Sequence, residues 1–469
     1  MSEPIINRPA PLRTLRAADL EPLDARSAAP VLVRPSRSYW QDAWVRLKAN
    51  RRALVSLYIV VGLLLFAFAG PLLWRVDPAL QDVDQISIAP GADRGARVVA
   101  PYQPWDGLAT EPGYGDSAGL RVAAEPTTHA VRLQWDALDE VAAWRVYRNH
   151  YPVDQTGSPG LPLADVSGSA GAFYEDRLDL HARTYHYTLA PLDAEGQRSG
   201  DFQTLEVDVV RVISQDEAVS RQLVSDPASL QVGDEVRLAW HPLGTDYLGR
   251  DMLARLMAGA RVSLFIGLLA PLLFVAIGVI YGATSGFAGG RTDVVMMRFA
   301  DFVIALPFLL FMILFQVVFG IGPGESGIMP MLVALVLLSW PAAARLVRGQ
   351  MLQMREEAYI SAARLLGASH NYMILRHMVP NTLGVILVTL PFAVPSAIFT
   401  EAFLSFIGMG VAPPTASWGS MCNEGLKNML THPHELILPA AMISVTVLAF
   451  NLLGDGLRDA LDARMRGAE

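Results

Sequence analysis

The chain has 469 residues, a formal net charge of −8 and 52% hydrophobic residues, with a mean hydropathy of +0.32. That length would suggest roughly three soluble domains, but long apolar runs exclude a freely soluble chain. A hydrocarbon core about 30 Å thick takes about 20 helical residues. The one cysteine, Cys422, excludes an internal disulfide, so any domain outside the membrane must be stable without one.

Residues 1–37 are rich in Pro, Arg and Ala with little periodicity, and are expected to be a disordered cytoplasmic tail. Residues 38–78 hold the first apolar run, Ala53–Trp74. It starts too far into the chain and is too long for a cleavable signal, so it reads as an uncleaved anchor.

Residues 79–240 change character. The segment is net acidic and contains no lysine. Alternating stretches read as strands: Ala130–Trp135, Ala143–Asn149, Thr184–Asp193 and Phe202–Val210. Turn residues separate them at Asp139–Glu140, Gly157–Gly160 and Glu195–Gly196. Short strands at this spacing predict a β-sandwich inserted on the outer side. Gly119–Val210 resembles a fibronectin type III module, with Trp135 as the buried tryptophan and Leu180 and Tyr185 at the tyrosine corner. That fold serves both as spacer and as docking module.

The stretch from His241 to Leu264 puts Asp246, Arg250 and Asp251 at a membrane edge, and Met252–Arg261 suits an interfacial helix. Five more apolar runs follow: Val262–Thr284, Val294–Phe319, Ile328–Val347, Leu383–Ile407 and His434–Leu453. Soluble cores rarely sustain six such lengths. Arg46, Lys48, Arg51 and Arg52 precede the first run, and Arg345, Arg348, Arg355, Arg364 and Arg376 crowd the connector after the fourth. The alternate loops hold only Lys427, so the positive-inside rule puts both termini in the cytoplasm, residues 463–469 forming the second tail.

Glu356–Ser369 interrupts the apolar runs. Glu356 and Glu357 suit a helix start, where negative charge complements the dipole. Tyr359, Ala363 and Leu366, with Ala362 and Leu365, form an apolar stripe. Gly367 ends this helix, and Ser369 caps a second one expected to stop before Pro380.

Several stretches together resemble a permease subunit of the dipeptide/oligopeptide/nickel class of bacterial ABC importers: "GTDYLGRD", "GFAGGRTDVVMMRFADFVIALP", "WPAAARLVRGQ", "AYISAARLLGAS…LRHMVPN", "EAFLSFIGMGVAPPTASWG" and "AFNLLGDGLRDALD". The resemblance covers about Arg34–Pro78 and His241–Asp462. It implies the second, C-type permease of such a system. The fold it implies is an all-α polytopic membrane protein with six transmembrane helices (a type I importer permease) and an inserted extracytoplasmic β-sandwich. The core spans 241–462.

The resemblance further implies a second homologous permease, two cytoplasmic ATPases, an extracytoplasmic solute-binding protein and membrane lipid as partners, with no nucleic acid. The chain has no G-x-x-x-x-G-K-[ST] loop, so ATP and Mg are expected on the ATPase chains and no cofactor or catalytic residue here. Residues 355–381 correspond to the coupling loop that sits in an ATPase groove, through Glu357, Tyr359, Ser361, Ala362, Ala363, Arg364, Gly367, Ala368, Ser369 and Pro380. Ser361 stands where that family usually has Glu.

Glu401 lies well inside the fifth run, near Ser405. A carboxylate there either lines the translocation path or gate with Ser405, or bonds helix partners. Asp301 reads as an interfacial anchor or a contact to the coupling loop. Trp418 and Met421–Leu430 read as a short outer helix against the binding protein or the pore mouth, or Trp418 as an interfacial anchor. His432 and His434 lack a third ligand nearby, so no metal is expected. The expected cargo is small peptides, with nickel, opines, oligosaccharides and antibiotic peptides open. A secondary transporter would carry its own ion site. A membrane sensor or scaffold is the distant alternative and would need a signalling domain.

Overall fold

The computed structural model describes residues 39–461 except 109–113, 115, 118, 137–140, 169–171, 222, 224–229 and 320–325. The two expected tails and the Asp139–Glu140 turn lie outside the described residues.

Helices α1 (Tyr39–Ala49) and α2 (Arg51–Phe68) meet at Asn50, whose side chain accepts hydrogen bonds from the Arg52 and Ala53 amides and so caps α2. A four-residue helix, α3 (Gly70–Leu73), follows Ala69 and ends the first apolar run. The chain then leaves the bundle.

Strand β1 (Gly95–Val99) opens the insertion. Eight strands follow: β2 (Asp116–Ser117), β3 (Leu120–Val122), β4 (Val131–Trp135), β5 (Ala143–Asn149), β6 (Pro162–Ser167), β7 (Phe173–Asp176), β8 (Thr184–Leu192) and β9 (Gln203–Asp208), with one helical turn, α4 (Val153–Thr156), after β5. They make two antiparallel sheets, ordered β2-β3-β4-β7 and β6-β5-β8-β9. Alternation decides their packing. Val131, Leu133 and Trp135 of one sheet face Trp144, Val146, Tyr185, Tyr187 and Leu189 of the other in one core, and the Trp135 and Trp144 rings lie 6.2 Å apart. Asp176, at the end of β7, is fully buried. It accepts from Tyr187 Oη at 2.6 Å and Arg148 Nη1 at 2.8 Å.

The chain next forms β10 (Val212–Ser214), α5 (Gln215–Ser220) and β11 (Glu235–Arg237). Strand β1 lies between β10, parallel, and β11, antiparallel. This small sheet, absent from the sequence-based expectation, is made from both ends of the insertion. It has its own core of Val98, Ile213, Ala218, Leu230, Val236 and Leu238.

The bundle resumes with α6 (Met252–Ala288), α7 (Gly290–Ala305), α8 (Phe308–Phe319), α9 (Ile328–Arg355), α10 (Ala358–Leu365), α11 (His370–Tyr372), α12 (Val379–Phe406), α13 (Trp418–Leu426) and α14 (His434–Leu461). Among the described residues, five helices are long and apolar enough to cross a membrane: α2, α6, α9, the continuous rod His370–Phe406 and α14.

The third expected span, Val294–Phe319, is broken instead. Helices α7 and α8 meet at 82°. Leu306 is extended, with ψ 126, because the following Pro307 disfavours the α region. Conversely, Met252–Arg261 is not a separate interfacial helix: Asp251 caps α6 by accepting from the Ala254 amide at 2.6 Å, and the helix then runs unbroken for 37 residues.

Small residues set the helix spacing. Gly278, Gly282 and Gly286 recur every four residues on α6, and α9 packs against them so closely that a Cβ on Gly282 would fall 2.3 Å from the Ala344 carbonyl oxygen. At the opposite side, Gly456 of α14 meets Ala53 of α2.

Candidate coupling site and its supports

The α9–α12 connector forms a bracket at the end of the bundle opposite the β-rich insertion. Glu357 is the N-cap of α10, with extended backbone and no side-chain cap bond. At the other end Gly367 takes φ +83. The Gly367 amide donates to the Arg364 carbonyl at 3.0 Å and the Ala368 amide to Ala363 at 3.1 Å. These paired bonds make a Schellman turn, which needs a residue with positive φ at its centre. Ser369 then caps α11 by accepting from the Tyr372 amide at 3.4 Å.

The second arm does not stop before Pro380. Met373–Met378 is a π-helical turn that leads straight into α12, with Pro380 exposed in the first turn of α12. Proline lacks an amide donor, and the wider turn shifts the bonding pattern just before it: the Val379 amide bonds Ile374.

The bracket is fastened by a residue outside the expected stripe. Ile360 is fully buried and packs with Ala283 and Phe287 of α6, Val347 and Met351 of α9, and Met373 and Met378. Tyr359, Ser361, Ala362, Arg364, Gly367 and Ser369 are exposed, while Ala363 and Ala368 are half-buried. The Tyr359 hydroxyl accepts from Asn381 Nδ2 at 3.3 Å, and the Arg364 guanidinium lies 5.9 Å from the Phe287 ring centre. Leu365 and Leu366 are 89% and 88% exposed at the turn. Two adjacent leucines held out beside a rigid glycine turn form an apolar tip suited to another protein's groove.

The candidate gate residues lie elsewhere. Glu401 is fully buried and Ser405 is 3% exposed within this single chain. Ser263 Oγ of α6 donates to Glu401 Oε2 at 2.8 Å, and Ser405 Oγ to Oε1 at 2.9 Å. The two serine oxygens in turn accept from the Trp418 and Val411 amides, at 3.3 and 3.1 Å. Within this chain both carboxylate oxygens are bonded to helix partners, the arrangement that the second of the two roles open from sequence requires. Trp418 is likewise fully buried, its Nε1 donating to the Leu256 carbonyl at 3.1 Å, so it is a core residue and no interfacial anchor. Cys422, on the same helix α13, has its thiol pushed up to about 11 by burial. Asp301 pairs with Arg345 of α9 at 2.5 Å rather than with the coupling bracket.

An ionic cluster that sequence reasoning missed lies at the insertion end. Arg250 Nε meets Asp246 Oδ2 at 2.7 Å, and its Nη2 meets Glu424 Oε2 at 2.8 Å. Arg255 Nη1 bridges the same two carboxylates, 2.7 Å from Glu424. Asp246 and both arginines are buried, and Glu424 of α13 nearly so. Asp251 also receives Trp74 Nε1 at 3.2 Å and lies 2.7 Å from His241 Nδ1.

The backbone of this loop is stitched to the insertion, Ser87 to Asp246 at 2.8 Å and Thr245 to Ile88 at 3.0 Å. The approach requires Gly249 (φ +73), where a Cβ would sit 1.8 Å from the Asp82 carbonyl oxygen. The available signal was the i, i+4 spacing of Asp246 and Arg250. Nothing local pointed to Glu424.

Helices of spanning length, a broken span and an exposed bracket at one end define a polytopic transport protein of the permease kind. A family model described as "Binding-protein-dependent transport system inner membrane component" matches residues 275–467, and one described as "N-terminal TM domain of oligopeptide transport permease C" matches 38–90.

The chain is 48% identical over 226 residues to the oligopeptide transport system permease protein OppC of Bacillus subtilis (strain 168), covering 48% of this chain and 72% of that one. It is 47% identical over 227 residues to the dipeptide transport system permease protein DppC of the same organism, covering 48% and 69%. To the glutathione transport system permease protein GsiD of Escherichia coli O6:K15:H31 it is 42% identical over 227 residues, covering 48% and 73%. The chain belongs to the family of inner-membrane permease subunits of binding-protein-dependent ABC transporters, in the branch of OppC and DppC. Neither family model covers residues 91–274, which hold the small sheet and the β-sandwich.

Proposed function

We propose that this chain forms half of the pore of an ATP-driven importer of small peptides. It pairs with a second permease, and two cytoplasmic ATPases and an outer solute-binding protein complete the assembly. Both termini and the bracket 355–381 lie in the cytoplasm, and the insertion 79–240 lies outside. The inserted sandwich is fibronectin type III-like, in keeping with its buried Trp135 and with the Tyr185 hydroxyl accepting from the His181 amide at 3.0 Å. ATP and Mg act on the partner ATPases.

The observation that carries this reading is the bracket: a rigid turn with exposed Leu365 and Leu366, fastened through Ile360 to both α6 and α9. A partner that grips the tip moves Ile360, and close packing passes that motion to the two helices. Pro391 and Pro395 inside α12 supply points of bending. The printed names of the relatives support peptides as cargo. Glutathione, named for another, is itself a small peptide.

The test is uptake by proteoliposomes holding this chain, its second permease, two ATPases and the binding protein. ATP-dependent accumulation of labelled di- to pentapeptides is expected. ATP-dependent uptake of nickel or an oligosaccharide, with none of peptide, would replace the cargo. Uptake without ATP would overturn the reading.

A further inference from the structure

A cleft of about 1040 Å3 opens where the sandwich meets the small sheet β10-β1-β11. It is as large as the larger small-molecule sites. The insertion around it is net acidic, yet five arginines and only three carboxylates line it. Two of the arginines are committed. Arg97 grips Glu125 with two bonds, at 2.7 and 3.0 Å, and Arg211 donates to the Asp93 carbonyl at 2.5 Å. Among the described residues, the guanidinium groups of Arg94, Arg183 and Arg237 make no ion pair or hydrogen bond. Arg183 belongs to the sandwich wall, and Arg94 and Arg237 to the sheet wall. Burial holds the Arg211 guanidinium below its ordinary pKa, with Asp93, Asp82 and Asp84 opposing the shift.

Two further features bear on the ligand. Strand β11 is an edge of its sheet and lines the cleft with Glu235, Val236 and Arg237, while the edge strand β9 reaches it only with its last residue, Asp208. Edge strands present unpaired backbone groups to which an extended peptide can add. A second cleft of about 450 Å3 shares Arg183 and Arg211 with the first and reaches Thr431 and His432, in the α13–α14 connection of the bundle. The arginine-lined space therefore runs from the sandwich to the end of the membrane helices.

We propose that this cleft binds a short extended peptide by its free carboxylate, received by Arg94, Arg183 and Arg237. Arginine's planar fork matches a carboxylate in two bonds. The proposal rests on the peptide-import reading and extends it, since the site would hold peptide on the permease itself, beside the bundle.

The test uses the full chain in detergent and dye-labelled tetra-alanine, as free acid and as C-terminal amide, read by fluorescence polarisation. The free acid is expected to bind about tenfold or more tightly than the amide. Arg183→Gln with Arg237→Gln is expected to remove that difference while the thermal unfolding midpoint stays unchanged. Equal binding of acid and amide, no binding of the acid, or full acid binding by the double variant each overturns the proposal. So does capture of the solute-binding protein that the double variant loses and excess tetra-alanine does not displace, which would put a protein in the cleft.

Uptake by the assembled transporter separates the two readings. Peptide uptake in wild type with cleft binding unaffected by the variant sinks the cleft alone. Absent peptide uptake with variant-sensitive cleft binding sinks the import reading alone.

Discussion

Ser263 of α6 and Glu401 of α12 share a hydrogen bond of 2.8 Å inside the helix bundle. With Ser405 and the Trp418 and Val411 amides, this carboxylate ties two membrane helices to the loop that follows α12. Glu401→Leu would leave two buried hydroxyls without their acceptor, a loss of about 1–3 kcal/mol for each unsatisfied group. A lowered unfolding midpoint in detergent and reduced yield are expected. Glu401→Gln keeps the size and one of the two acceptors, and is expected to retain assembly and uptake. Normal stability in the leucine variant, or lost uptake by a stable glutamine variant, would restore a gating role.

The Asp246, Arg250, Arg255 and Glu424 cluster is a test of buried ion pairing. Removing one partner of such a pair strands the other charge, at a cost of about 3–5 kcal/mol. Glu424→Leu leaves Arg250 and Arg255 to share the single carboxylate of Asp246, one buried positive charge unbalanced, so it should be among the most destabilising single changes at the insertion end. Thermal unfolding measures this. Arg255→Met combined with Glu424→Leu should cost less than the sum of the two singles, because the sites are coupled. Strict additivity would show that the cluster contributes little as a unit.

What was legible in the sequence was local. Gly367 and Ser369 announced a turn and a cap because both act within a few residues, and the apolar runs announced spans by length alone. Pro307 lay in plain view inside the third run, and the extended Leu306 before it accompanies the 82° break, but a span read by apolar length alone passes over such an interruption. Ile360 was missed because helical spacing defines a stripe without saying which face meets the bundle. The small sheet was missed because β1 pairs with strands more than a hundred residues downstream, each of them short. Glu424 stands 169 residues from Arg255, and no local pattern could join them.

At the bracket, Leu365→Glu with Leu366→Glu should spare the fold, since both side chains are already almost fully exposed. The expected result is a permease pair that purifies normally but no longer retains its ATPases on a column. Gly367→Ala meets no neighbour within 4 Å, so its cost is conformational, about 1–2 kcal/mol at φ +83. Gly367→Pro cannot keep this φ at all. It should abolish substrate-stimulated ATP hydrolysis and uptake while the permeases still copurify. Full uptake with normal substrate stimulation in the proline variant would remove the bracket from the coupling role.

The sandwich should loosen in mild acid. His181 and His150 both lie below the ordinary histidine pKa of 6.5, chiefly because burial disfavours their charged forms. Arg183 and Arg148 add to this for both, while Asp179, 3.2 Å from His181, opposes it. Below pH 6.5 the unfolded chain takes up protons that the folded module refuses. Stability from these groups is therefore complete above 6.5 and falls as the pH drops through the folded values. The carboxylates act lower down: Arg145 holds Asp165 below the usual carboxylate range, so its contribution is lost only in stronger acid. Hydrogen exchange over residues 173–192 of the full chain, compared at pH 7.5 and 5.5 after correction for intrinsic rates, should show protection falling at the lower pH. His181→Gln with His150→Gln should flatten that change, leaving only the fall below about pH 4. An undiminished loss of protection in the double variant between pH 7.5 and 5.5 would assign the acid sensitivity to other groups.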